Sequence, residues 1–111
     1  GRVSYEHLMS ATEVQSHTAI VCGTEERALD GMSQAKESGI EIPKTLSVIC
    51  YSDSSFYSLL SPPVATIRVD ADAIGRSAAL ALINLLNDKT TVQTTRITPE
   101  LVLRGTTAPP T

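Results

Sequence analysis

Apolar residues along this chain alternate between two rhythms: short unbroken runs, and positions spaced for one face of a helix. Ser47 to Tyr51 (SVICY) is a β-branched run without polar alternation, which is how a strand buried on both faces reads. Thr18 to Cys22 (TAIVC) reads the same way. Between them Thr24 is a helix N-cap, and Glu25 and Glu26 occupy the first turn, where carboxylates suit the positive end of the helix dipole. That helix should run to about Ser38, with Ala28, Leu29, Met32 and Ala35 as its inward stripe. Gly39 supplies a left-handed stop, Ile40 packs back, and Pro43 prevents the helix from resuming. Strand, helix and strand joined by short links make a βαβ unit, so an α/β fold with parallel strands and right-handed crossovers is expected.

The pattern continues on both sides of this unit. Upstream, Ser4 can cap a short helix with Tyr5, Leu8 and Met9 on one face. Downstream, Phe56 to Leu60 reads as about one helical turn, ended by Ser61-Pro62-Pro63 because a proline disfavours helix in the residue before it. Val64 to Val69 is a third strand. Asp70 or Asp72 then caps a helix in which Ile74, Ala78, Leu82 and Leu85 recur at helical spacing as far as Asn87-Asp88, a face apolar enough to need a partner surface. Ile97 to Arg104 is a last strand with Leu101 and Leu103 on one side.

Polar chemistry concentrates where the SVICY strand ends. Ser52-Asp53-Ser54-Ser55 follows it, and in open parallel sheets ligands bind beyond the carboxyl ends of the strands. The same residue types also cap helices and make turns by bonding nearby backbone N–H groups, so both readings stand.

Composition narrows the function classes. The chain has 111 residues, 41% hydrophobic and 19% charged, an ordinary globular balance for one domain or part of one. No apolar run approaches the roughly 20 residues that span a bilayer, and no basic-then-apolar leader is present, so a cytoplasmic chain with no membrane partner is expected. A net charge of −3 with nine scattered basic residues argues against this piece gripping a nucleic-acid backbone. Cys22 and Cys50 lack metal-ligand spacing and read as small buried hydrophobes in a reducing compartment; neighbouring strands would bring the two thiols close. His7 and His17 have no ligand pattern around them, and there is no G-x-S-x-G elbow, P-loop or G-x-G-x-x-G. No catalytic group, metal or cofactor is expected, and an enzyme is a poor fit.

A set of short stretches, in order, covers nearly the whole chain: Thr18-Ala19-Ile20 before a helix, Gly39 with Pro43, Leu46-Ser47-Val48-Ile49, Ser61-Pro62-Pro63, Thr66-Ile67-Arg68, Gly75-Arg76, Pro99-Glu100-Leu101-Val102 with Arg104, and Thr107-Ala108-Pro109-Pro110. In this order they resemble the LacI/GalR-type bacterial transcription repressors, whose regulatory core is similar to periplasmic sugar-binding proteins. The resemblance implies a two-subdomain effector core of periplasmic-binding-protein-like type I fold, incomplete in this chain, with residues 1–111 as its C-terminal portion. It implies most of the distal subdomain, a crossover near Asp70, and a helix from Ile74 to Asn87 belonging to the proximal subdomain. Operator DNA would be read only through an upstream headpiece absent from this chain.

The same resemblance suggests site residues. The family usually carries Gly, an aromatic and two aspartates at the strand exit, where this chain has Cys50-Tyr51-Ser52-Asp53. It often has Asn-Asp where this chain has Thr24-Glu25, and Asp70 is followed by Ala71. Effector contacts are therefore expected at Ser52, Asp53, Thr24, Glu25 and Asp70, with a sugar or sugar phosphate as the small-molecule effector. Neutral hydroxyls in place of a carboxylate weaken hydroxyl recognition, since charge-assisted hydrogen bonds are about twice as strong, and they suit an anionic effector better. A homodimer is expected through the helix at Glu26 to Gln34, including Asp30, and through Phe56, Tyr57, Leu59 and Leu60, four residues that read equally well as cover for the local core. Two other readings are a solute-binding protein of the same architecture and a regulator whose effector is itself a protein.

Overall fold

A computed structural model describes residues 11–87 and 94–110. The helix expected around Ser4 to Met9, and Asp88 at the end of the later helix, lie outside these residues. The described elements are helix α1 (Ala11–Ser16), strand β1 (Ala19–Cys22), helix α2 (Glu25–Glu37), strand β2 (Ser47–Cys50), a 3-10 helix (Ser55–Leu59), strand β3 (Ala65–Arg68), helix α3 (Ala71–Leu86) and strand β4 (Glu100–Val102). The chain separates into two compact units, residues 1–68 with 101–111, and residues 69–100.

The first unit is built on a sheet in the order β1-β2-β3-β4, in which β1 pairs with β2 and β2 with β3 in parallel. The first crossover is α2, begun and ended as its residues dictate. The Thr24 hydroxyl accepts a hydrogen bond from the Arg27 N–H at 3.3 Å, Ser38 N–H returns to Gln34 C=O, and Gly39 takes φ +72° to leave the helix. Residues 51–64 make the second crossover with only one 3-10 helix, near the dozen-residue minimum for joining parallel strands. The core is Val14, Cys22, Ala28, Ala35, Leu46, Val48, Cys50, Tyr57 and Val64, with Ile20, Met32, Ile40 and Ile42 packed around it. Gly31 and Gln34 are buried on α2 beside the expected stripe, while Leu29 is half-buried.

The strands are not buried on both faces. Val48 and Cys50 are buried while Ser47 and Ile49 are half-buried, and in β1 Cys22 is buried while Val21 is 70% exposed. Unbroken apolar runs signal two covered faces, but helix packing in this unit covers the face carrying Cys22, Val48 and Cys50. The last strand is shorter than expected, because the chain leaves the sheet at Leu103. Arg104 then donates to Val64 C=O at 2.6 Å, and Gly105 N–H to Pro63 C=O at 2.8 Å. A side chain at Gly105 would put its Cβ 3.0 Å from Pro63 Cδ and 3.3 Å from Pro62 Cβ, so the tail passes close to the double proline and a larger residue would press on it. Thr106 is fully buried between the amino ends of β2 and β3. Its hydroxyl donates to Val48 C=O at 2.6 Å and accepts from Ala65 N–H at 2.8 Å, while its own C=O accepts from Val48 N–H.

The second unit holds α3. Asp70, not Asp72, caps it by accepting from Ala73 N–H at 3.0 Å, and Asn87 N–H closes it on Ile83 C=O. No residue of α3 is buried; Leu80, Leu82, Ile83, Leu85 and Leu86 are all exposed. Each such side chain left in water forgoes about 1.5–3 kcal/mol of burial. Among the described residues no helix is long and apolar enough to cross a membrane.

Candidate functional site

Strand register assembles the site. Cys22 is the partner of Cys50, and Cys50 of Thr66, so the last ladder positions of β1 and β2 stand level with the middle of β3. Two residues beyond these positions come Thr24 and Ser52, in the turns that follow β1 and β2, and Arg68, the last residue of β3. Tyr51 N–H still donates to Cys22 C=O at 2.7 Å, holding the two exits side by side as they leave the sheet. Thr24 is exposed with its hydroxyl engaged as the α2 cap, Glu25 is half-buried in the first turn, and Ser52 is half-buried with its hydroxyl 3.6 Å from Cys50 Sγ. The exits of β1 and β2 that carry these expected effector residues are therefore adjacent. Asp70 belongs to the other unit, where its carboxylate caps α3.

Asp53 is tied inward. Its Oδ1 accepts from the Thr66 hydroxyl at 3.0 Å and from an Arg104 terminal amino group at 3.1 Å, and its Oδ2 accepts from Arg68 Nε at 2.7 Å. Its side chain is 13% exposed, as Arg104 is at 14%, whereas Arg68 is 47% exposed. Burial pushes the carboxyl pKa up, but the hydrogen bonds from Arg68, Thr66 and Arg104 and the Arg104 charge outweigh it, so the pKa lies below the ordinary value. A carboxylate offers about four acceptor positions, and three donors already occupy Asp53. Its place is that of an anchor holding the β2 exit to β3 and to the tail. Both arginines fall within the family-like stretches Thr66-Ile67-Arg68 and Pro99 to Arg104, to which the resemblance assigns no role. The signal for Arg68 is its position two residues after Thr66, on the same face at the strand end.

Beneath this edge lie the two thiols, both free and buried. Cys50 Sγ is 3.3 Å from the Tyr57 hydroxyl. Burial, and next the Cys50 contact, push the Tyr57 phenol above its ordinary range; burial and then the Cys50 neighbour push Cys22 up to about 11, with Arg27 opposing. Tyr57 is thus a core residue and not part of an open surface: the 3-10 turn rotates it inward, under the carboxyl edge, to hydrogen-bond the thiol. The other residues expected at a dimer contact stay nearer solvent. Leu59 is 83% exposed, while Leu60, Phe56 and Asp30 are half-buried, and the Phe56 ring stands 5.3 Å from that of Tyr57. Among the described residues no group of three or more His, Cys, Asp or Glu side chains could hold a metal ion.

Comparison with known proteins agrees with this architecture. Residues 2–107 match the periplasmic binding protein-like domain family. An uncharacterized HTH-type transcriptional regulator of Streptomyces limosus is 36% identical over 95 residues, 85% of this chain and 27% of that protein, so this chain spans about a quarter of that relative. A LacI family regulator from Arthrobacter, solved in complex with lactose, superposes with TM-score 0.73 at 27% identity over 88% of this chain and 38% of its own. The lac repressor dimer bound to operator and the anti-inducer ONPF superposes with TM-score 0.77 at 26% identity over 87% and 35%. The chain belongs to the periplasmic binding protein-like domain family, as a piece of the LacI/GalR-type regulator core.

Proposed function

We propose that this chain is the effector-sensing and dimerisation part of a longer, cytoplasmic DNA-binding regulator, a binding module without catalysis whose operator contacts are made elsewhere. The observation that carries it is the parallel pairing of β1 with β2 up to Cys22 and Cys50, continued by Tyr51 N–H on Cys22 C=O, which brings the two exits that carry Thr24 and Ser52 side by side at the carboxyl edge, where such sheets bind small ligands. Lactose in the Arthrobacter relative supports a sugar-like effector. Ser52 and Glu25 meet its hydroxyls there, Thr24 shapes the edge as helix cap, and Asp53 keeps the Ser52 turn in place. The exposed Leu59, with Leu60, Phe56 and Asp30, forms the dimer contact, in line with the dimeric lac repressor. Effector binding alters operator affinity by favouring one of two arrangements of the core, so the two ligands are linked reciprocally.

The test is a titration of operator DNA with the intact regulator, with and without a panel of sugars and sugar phosphates. A shift in operator affinity by one member, lost in Ser52→Ala, is the expected result. No shift with any member, or an unaltered response in Ser52→Ala, would sink the reading of this edge as the effector site.

A further inference from the structure

Resting on the effector reading above, we infer that Asp53 is the positioning residue that carries effector occupancy to the two passages between the units, through Arg68 on the outgoing passage and Arg104 on the returning one. Arg68 is the last residue of the first unit before the chain enters the second at Val69, and the chain comes back at Leu101, shortly before Arg104. Asp53 holds both sides. Arg68 Nε donates to its Oδ2 at 2.7 Å, and an Arg104 terminal amino group donates to its Oδ1 at 3.1 Å. One carboxylate, next to Ser52 in the chain, thus grips the segments that precede and follow the second unit.

Plain anchoring does not require this arrangement. The tail is already fastened by Gly105 N–H on Pro63 C=O and by the Thr106 hydroxyl between Val48 and Ala65. β2 and β3 are already joined by a ladder that runs to Cys50 and Thr66. Asp53 adds a link past the end of that ladder, from the Ser52 turn to the residues where the chain departs and returns. Three donors, the Thr66 hydroxyl included, fix the carboxylate, and hydrogen bonds between ionised partners are about twice as strong as neutral ones. A turn that shifts when Ser52 takes a ligand therefore draws both arginines with it. Arg68 ends β3, and element-terminal residues are where a core with two arrangements absorbs backbone change.

The experiment uses the intact regulator and separates affinity from response. Calorimetry gives the Kd of glucose, galactose, ribose and their phosphate esters, and operator affinity is measured with and without a saturating amount of the member that binds. Allosteric coupling of about 5- to 150-fold is the range expected for the wild-type operator shift. In Asp53→Asn the Kd of that sugar should stay within about threefold of wild type while the operator shift falls below about a third of it. Ser52→Ala, by contrast, should lose response through a weaker Kd. Arg68→Gln, which leaves Arg104 on Asp53, should lower the shift part of the way, with Arg68→Lys between it and wild type. Thr106→Val, a destabilising change at the opposite end of the sheet, should keep both Kd and shift. Should Asp53→Asn fail to fold, Arg68→Gln decides. A full operator shift in the deciding variant overturns the inference and leaves effector sensing standing. So does a Kd weakened beyond threefold in Asp53→Asn, which would make Asp53 a ligand contact, or an equal loss of shift in Thr106→Val, which would make it an anchor alone. Binding of none of these sugars overturns the effector reading and the inference with it.

Discussion

At the amino ends of β2 and β3 the Thr106 hydroxyl is fully buried, donating to Val48 C=O and accepting from Ala65 N–H, and the Ser47 hydroxyl accepts from Ala108 N–H at 3.2 Å. At the carboxyl edge of the sheet Ser52 is half-buried, its hydroxyl 3.6 Å from the Cys50 thiol, and Thr24 is exposed. The residue types are the same and their tasks differ. Where the returning tail wedges between two parallel strands, a hydroxyl completes a ladder the backbone leaves open, and any loss strands buried groups. Where the strands run out toward loops, a hydroxyl stays within reach of solvent. A parallel sheet thus separates a sealed end from a receptive one, and Asp53 joins them, since its arginine partner Arg104 comes from the same tail that carries Thr106.

The largest break in this contrast should come from Thr106→Val. It keeps the shape and leaves Val48 C=O and Ala65 N–H without their partner, at a cost of about 3 kcal/mol, read as a lowered denaturant midpoint. A loss under about 1 kcal/mol would mean the two strands close the gap themselves. Asp53→Asn should cost about 2 kcal/mol by leaving two guanidinium groups against a neutral amide, less than the loss for a fully buried pair.

That variant also sharpens the pH dependence. The Asp53 pKa lies below its unfolded value, so its contribution is present above roughly pH 4 and is lost as pH falls through the lower folded value. Wild-type stability should therefore drop on acidification in that window, and Asp53→Asn should drop less. An identical slope in acid denaturation would show that the anchor is not the titrating group.

Thr24→Ala should cost about 1 kcal/mol through the lost α2 cap, so any effect on effector binding has to be read beside a melting curve. Ser52→Ala should be the quietest of the four in stability, under about 0.5 kcal/mol, while lowering effector response. A Ser52→Ala protein as destabilised as Thr106→Val would erase the distinction between the two ends.

Much of this was legible from residue order. Thr24 as cap, Gly39 as left-handed stop, Asp70 as one of two candidate caps, and the βαβ rhythm all depend on contacts within a few residues, where backbone sterics and local hydrogen bonds decide. The exit of the SVICY strand stood out as polar for the same reason. What residue order could not decide depends on partners far along the chain. Tyr57 could be read as a dimer contact or as core, because a single helical turn has no long stripe to orient it; the structure buries it, with its hydroxyl on the Cys50 thiol of β2. The unbroken apolar runs overstated burial because they cannot tell a covered face from one that this unit leaves open at Val21. That Asp53 also anchors Thr66, Arg68 and Arg104 was not legible, because Arg104 lies fifty-one residues away. Local chemistry therefore determined the elements and their ends. Tertiary structure alone decided which of several similar hydroxyls and charges face inward, because that choice depends on strand register and on where the tail returns.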